Sequence, residues 1–254
     1  MCGGSRDQSL QKPGPLERIA INIRSPGFET FHGASGGGSV IQAVLFDFDG
    51  VLVDSLPYHI QAWQAEFSKL GARINPNDVY LREGSRAKAI GRVLYEKSGL
   101  PFTEEELDAL IARKRKLYAE TTRAGFTPGA RELLSEIKRR GLKIGLVTGS
   151  IWENIRSVLD QGTVDLFDEV VTGHDVQNGK PHPEPYLTAA EKLGIPAENC
   201  LVVENAPFGI TAAKKAGMFC VAVESTLDKS YLQEADLIFP GLQEMLENLD
   251  EILE

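Results

Sequence analysis

The sequence predicts an α/β protein, a Rossmann-like parallel-sheet core carrying an inserted helical cap. Three observations lead there. From residue 40 onward, short apolar runs rich in β-branched residues alternate with single helical patterns, which implies parallel strands in a layered domain. The alternation fails once, between Asp54 and Phe126, where only helical periodicity is read. Carboxylates, hydroxyls and a lysine then fall just past the predicted strands, where ligands collect in open parallel sheets.

The elements follow in order. Residues 1–39 are rich in Gly, Ser and Pro and end in Gly33-Ala-Ser-Gly-Gly-Gly-Ser39, a flexible-linker composition. They read as a flexible extension, with a weak alternation at 19–24 that could form a stray strand. The core is expected over 40–53 and 127–254 and the cap over 54–126, with hinges near Asp54 and Phe126. Strands are expected at 40–46, 143–147, 169–172, 200–203, 219–223 and 236–239. Cap helices are expected at 56–70, 86–97 and 104–122, the last capped by Thr103 with Glu106 placed for a capping box. Core helices are expected at 128–140, with Thr127 as N-cap and Pro128 in the first position, and at 151–161, 185–193, 208–216 and 241–253.

Composition narrows the function. The 254 residues carry a formal charge of −9, which argues against nucleic acid or an anionic membrane surface as partner. It leaves room for a small anionic substrate, which responds to the local field and to bound metal. The three cysteines, Cys2, Cys200 and Cys220, have no metal-ligand spacing and are poor material for a disulfide framework. Cys200 and Cys220 sit in apolar runs and read as small buried hydrophobes. With no apolar run near the length of a membrane span and no signal core, the expected setting is the cytoplasm, as a monomer or weak homodimer.

Four segments carry chemistry. In Phe46-Asp-Phe-Asp-Gly-Val-Leu-Val-Asp-Ser55, strand alternation sends Asp47 and Asp49 to one side. Two such close carboxylates need a cation or a shared proton. One aspartate can attack a phosphoryl group, and the other can move a proton. Thr148-Gly149-Ser150 follows the 143–147 run and precedes a helix, so its hydroxyls and N–H groups make an anion site. Alone, it reads more readily as a common N-capping turn. Lys180, in Gly-Lys-Pro-His-Pro-Glu-Pro, suits phosphate charge, although alone it reads as a surface lysine. Glu204-Asn205 ends the 200–203 run and offers oxygen ligands for Mg²⁺ or an acid that caps the next helix.

In order and content these segments resemble the four motifs of the haloacid dehalogenase superfamily, from about residue 40 to the end. The resemblance implies that Asp47 is the nucleophile and Asp49 the general acid/base, and that Thr148 and Lys180 hold the transferring phosphoryl group. It also implies Mg²⁺ held by Asp47, the backbone carbonyl of Asp49 and the Glu204/Asn205 pair. The inserted helices look like the first cap class, found among phosphatases and β-phosphoglucomutases. By likeness to the latter, His59 lies close to Asp49, with Trp63 one turn on, and Arg86 and Lys114 contact the distal part of the substrate. On helical spacing alone His59 is as readily structural, and Arg113–Lys116 reads as a solvated face. The chain departs from the pattern at Asn205, where an acid is usual; an amide oxygen ligates Mg²⁺ without adding charge.

The function expected is a Mg²⁺-dependent phosphatase of a small phosphorylated metabolite, with a sugar phosphate as the candidate class. A sugar phosphomutase with the same nucleophile is the alternative. An inactive sensor of phosphorylated ligands is a third reading, favoured only by Asn205, and dehalogenation is disfavoured by the second aspartate.

Overall fold

The computed structural model describes residues 40–253; the extension over 1–39, its weak alternation at 19–24 and Cys2 lie outside them. Six strands form one sheet: β1 (Ala43–Phe46), β2 (Lys143–Val147), β3 (Glu169–Val171), β4 (Cys200–Glu204), β5 (Phe219–Val223) and β6 (Leu237–Phe239). All pairs are parallel, in the order β3-β2-β1-β4-β5-β6. The order reverses direction between β1 and β4, the kind of switch point where such sheets open a crevice for ligands. Phe46 is in register with Leu146 on one side and Val203 on the other. The residues that follow these strands therefore meet at one edge.

Strand alternation builds two cores. Val44 and Phe46 face a cluster shared with Leu201, Val203 and Ile144, while Ala43 and Leu45 face one shared with Cys200, Val202 and Cys220. The first face is covered by α5 (Ala130–Arg139), α10 (Leu242–Glu247) and α11 (Leu249–Leu253), and the second by α8 (Glu184–Leu193) and α9 (Pro207–Lys215). Both described cysteines are free and buried, as their apolar runs suggested. No described helix is long and apolar enough to cross a membrane.

Between β1 and β2 lie α1 (Leu56–Lys69), α2 (Pro76–Tyr80), α3 (Ala87–Ser98) and α4 (Glu104–Thr121). Their apolar faces close on a separate cluster that includes Trp63, Phe67, Leu94, Leu107 and Leu110. The predicted capping box starts α4: Thr103 Oγ1 accepts from the Glu106 N–H at 3.2 Å, and Glu106 returns a bond to the Thr103 N–H at 2.8 Å. The chain enters and leaves this insert side by side. Val53 bridges Phe126, the Asp54 N–H donates to the Gly125 carbonyl at 3.0 Å, and the Thr127 N–H donates to that of Leu52 at 3.0 Å.

Boundaries differ where a local side chain outcompetes the pattern. The helix expected over 151–161 is two, α6 (Trp152–Arg156) and α7 (Gln161–Val164), because Asp160 accepts from the Thr163 N–H at 2.8 Å and starts a second helix. Thr127 does not cap α5; its hydroxyl donates to the Val51 carbonyl at 2.6 Å, and the helix begins after Gly129. The pattern over 241–253 breaks at Asn248, and α2, capped by Asn75, was not anticipated.

Leu107 is fully buried in the helical insert. Leu107→Ala should cost about 2–5 kcal/mol of stability, read by urea unfolding; a loss typical of a surface position would mean that the insert lacks this packed cluster.

Candidate active site

The chain passes from β1 directly into Asp47, whose N–H donates to the Val203 carbonyl at 3.0 Å, so β1 and β4 deliver Asp47 and Glu204 side by side. Gly50 turns the chain away at φ +84°, and a Cβ there would lie 2.2 Å from Asn205 Nδ2. A side chain at 50 is thus excluded both by conformation and by the amide packed against it.

Two buried carboxylates cannot lie together uncompensated, and Lys180 supplies the compensation. Its ammonium is 3% exposed. It donates to Asp47 Oδ1, to Glu204 Oε1 at 2.7 Å and to the Val147 carbonyl at 3.1 Å. All three donors are spent, and the carboxylates hold the Lys180 ammonium above its ordinary pKa despite burial. Glu204 is saturated as well. Its Oε1 also accepts from the Tyr186 hydroxyl at 2.7 Å, and its Oε2 accepts from the Asn205 N–H at 2.9 Å. Gly209 leaves space for it, since a Cβ there would lie 1.7 Å from Oε1.

Two buried oxygens beside this cluster have no partner among the described residues, Asp47 Oδ2 and Asn205 Oδ1. The Asn205 amide is oriented by its other end, where Nδ2 donates to Thr226 Oγ1 at 3.0 Å. Orphaned buried acceptors carry a large desolvation cost, so the pair is suited to a hard cation. Burial pushes Asp47 up to about 8, with Glu204 and Asp49 adding to the push and Lys180 opposing it. A cation on Oδ2 would reverse that push and keep the carboxylate ionised. Among the described residues there is no cluster of three or more His, Cys, Asp or Glu arranged for a metal. The unpartnered oxygens available are one of a carboxylate and one of an amide.

Asp49 has the opposite environment. Burial pushes it up, but His59 and the hydroxyls of Ser55 and Ser150 outweigh burial and hold it down at about 2. Ser55 and His59 Nε2 (3.0 Å) meet Oδ1; Ser150 Oγ (2.8 Å) and Thr148 Oγ1 (3.5 Å) meet Oδ2. Lys114 Nζ lies 2.6 Å from His59 Nδ1. An ammonium can only donate, so Nδ1 accepts and Nε2 carries the proton that faces Asp49. Burial, with Lys114 adding, pushes the imidazole below its ordinary pKa, against the pull of Asp49. Burial likewise lowers Lys114 to about 8, opposed by Glu83 and Asp49.

Asp47, Asp49, Thr148, Gly149, Ser150, Lys180, Glu204 and Asn205 therefore converge on one edge of the sheet, and His59 and Lys114 reach it from the helical insert. A partly open pocket is lined by His59, Lys114, Gly149 and Ser150 of these residues, together with Trp63, Glu83 and Asn154. Arg86 stands elsewhere. Its guanidinium is bonded to the main-chain carbonyls of Gly173, Val176 and Gln177 in the core. Sequence reading missed Glu83, Tyr186 and Thr226, each of which acts on residues distant in the chain. Glu83 is pushed well above the ordinary carboxylate range by burial and by the charges of Asp49 and Asp47, with Lys114 opposing. Its position directly before Gly84-Ser85-Arg86 was the one available signal.

Residues 41–217 match the family model of the haloacid dehalogenase-like hydrolases. The chain is 33% identical over 205 residues to validoxylamine A 7'-phosphate phosphatase of Streptomyces hygroscopicus subsp. limoneus, covering 80% of this chain and 95% of that one. It is 32% identical over 190 residues to β-phosphoglucomutase of Bacillus subtilis (strain 168), covering 72% and 83%. A solved structure of a putative β-phosphoglucomutase from Bacteroides vulgatus superposes with a TM-score of 0.74 at 34% identity, covering 85% of this chain and 91% of that one.

Gly50→Ala should cost at least about 1–3 kcal/mol from its left-handed backbone alone, with the contact to Asn205 in addition. Denaturant unfolding of the variant measures this, and unchanged stability would mean that the Asn205 amide does not press on residue 50.

Proposed function

The chain belongs to the haloacid dehalogenase-like hydrolases, and on that premise we infer that it is a Mg²⁺-dependent phosphatase. Its substrate on this reading is a small phosphorylated metabolite, with sugar phosphates as the leading class, and its intermediate an aspartyl-phosphate. The observation that carries the reading is the Asp47 carboxylate, one oxygen bonded to Lys180 and the other without a partner among the described residues, as is Asn205 Oδ1 past the end of the neighbouring strand. An anion that must bind a cation and an anionic substrate calls for this division of its two oxygens.

Asp47 Oδ2, Asn205 Oδ1 and the Asp49 backbone carbonyl are assigned to the metal, since hard oxygen donors suit Mg²⁺. Bound there, Mg²⁺ supplies positive charge to the phosphoryl oxygens. Glu204 is assigned to bracing Lys180, since both of its oxygens are already engaged. Asp47 attacks phosphorus in line, and the bond from phosphorus to the alcohol oxygen breaks as Asp49, protonated for this step, passes its proton to that oxygen. Water then attacks the aspartyl-phosphate, and Asp49, now a carboxylate, takes the water proton as phosphate departs and Asp47 is restored. The hydroxyls and His59 around Asp49 favour its carboxylate, the form needed for the second step. Thr148 and the Gly149 N–H are assigned to the non-bridging oxygens, and the Lys180 ammonium, its donors already engaged, contributes its positive charge from beside Asp47.

Support for a sugar phosphate comes from a pocket lined by the Trp63 ring and by the polar groups of Glu83, Lys114 and Asn154. The His59–Asp49 contact and the Bacillus relative favour a second reading, in which the phospho-aspartate meets a sugar hydroxyl instead of water. The helical insert over 54–126 is assigned to substrate selection as a cap.

Phosphate release from a broad panel of phosphometabolites with Mg²⁺ tests the reading, and Asp47→Asn should reduce turnover of p-nitrophenyl phosphate to background while the protein still folds. Retained turnover would remove Asp47 as nucleophile; conversion of β-glucose 1-phosphate to glucose 6-phosphate with little free phosphate would establish the mutase. The metal assignment has its own measurement, the Mg²⁺ concentration for half-maximal activity. It should fall in Asn205→Asp, which adds a charge to a ligand, and stay near the parental value in Glu204→Gln, where kcat falls instead. The reverse pattern would transfer the ligand role to Glu204.

A further inference from the structure

Arg86 has no ion-pair partner among the described residues. Its guanidinium is nonetheless nearly filled. Nε and Nη2 donate to the Gly173 carbonyl at 3.1 and 2.8 Å, Nη2 also reaches the Val176 carbonyl, and Nη1 donates to that of Gln177 at 2.8 Å. A planar fork bound to three carbonyls of one loop has a geometric specificity that an ammonium cannot copy. The residue before it repeats the connection, since Ser85, 8% exposed, donates its hydroxyl to the Lys180 carbonyl at 2.9 Å.

Three glycines mark how close this contact is. A Cβ on Gly149 would lie 2.5 Å from the Gly84 carbonyl oxygen, one on Gly84 would lie 2.6 Å from Lys180 Cδ, and one on Gly179 would lie 3.1 Å from Arg86 Cγ. The insert meets main chain with main chain at Gly149, past β2, and side chains enter the contact at Lys180 and Gly179, so the core side of the contact is Gly149 together with the segment that runs from the end of β3 to Lys180.

We propose that Arg86 is a positioning residue, a clamp by which the helical insert fastens onto the 173–180 segment and steadies Lys180, and that it does not bind the substrate. The inference rests on the phosphatase reading for its kinetic consequence but not for its structural one. A clamp acts on every substrate alike. A substrate ligand acts only on substrates that have a distal group to bind.

The test compares Arg86→Ala and Arg86→Lys with the parent on p-nitrophenyl phosphate, on hexose monophosphates and on a hexose bisphosphate. The expected result is the same fold-loss in kcat/KM for all of them, of roughly tenfold or more, with Lys failing to rescue because it lacks the fork. Ser85→Ala should move all substrates in the same direction by less. Loss confined to sugar phosphates, with p-nitrophenyl phosphate turned over at the parental rate, would overturn the clamp and return Arg86 to substrate contact. A second readout needs no activity. Amide hydrogen exchange across residues 173–180 should rise in Arg86→Ala while the strands of the sheet keep their protection. Unchanged exchange there overturns the proposal even if activity falls. If the parent releases no phosphate from any substrate, the phosphatase reading fails, and the exchange measurement alone decides the clamp.

Discussion

The buried Lys180 ammonium, shared by Asp47 and Glu204, is the interaction on which the remainder of the site depends. Parallel pairing of β1 with β4 forces the two carboxylates together, and in a region this buried neither could stay ionised without a cation. The surrounding residues complete that arrangement: Tyr186 and the Asn205 N–H take the free valences of Glu204, and Gly209 makes room for it. A buried charge cluster stabilises a fold only when every member is satisfied. Here every member is, except one oxygen of Asp47.

That exception gives the site its polarity. With Lys180 saturated, the unmet carboxylate and amide acceptors among the described residues are Asp47 Oδ2 and Asn205 Oδ1, and on the phosphatase reading they are where a second cation would go. Because Asn205 is neutral, a divalent ion there would be balanced by a single carboxylate, Asp47, and would keep more of its own charge for an anionic ligand. On the phosphatase reading, the amide at 205 would thus exchange metal affinity for a stronger field on the phosphoryl group.

Most of this was legible where the signal is local. The runs at 143–147 and 219–223 became strands at those residues, because continuous β-branched stretches have no helical competitor. The capping box of α4 is a three-residue pattern and appeared as read. The split at Asp160 and the failure of Thr127 to cap α5 depend on which of two nearby acceptors wins, and composition does not rank them. At the site, residue types placed Asp47, Asp49, Thr148 and Lys180 together. They could not divide Glu204 from Asn205, since that choice is made by Tyr186, Lys180 and Thr226, all distant in sequence. Arg86 was the sharpest divergence. Nothing around it in the sequence points to carbonyls some ninety positions away.

The two halves of the site also differ in kind. Core side chains satisfy one another: the Lys180 ammonium, Glu204, Tyr186 and the strand ends form a closed set of bonds, which the helical insert touches through the Lys180 main chain. The insert's contribution is not closed. His59 and Lys114 lean on Asp49, and Glu83 is an acid left near two other acids with Lys114 as its main offset. Such a group is costly to keep where no ligand uses it. On the phosphatase reading this asymmetry has a physical logic. Attack at phosphorus is the same for every ester and is committed to the rigid sheet edge, while the alcohol that leaves is met by side chains whose charges remain unsettled until it binds.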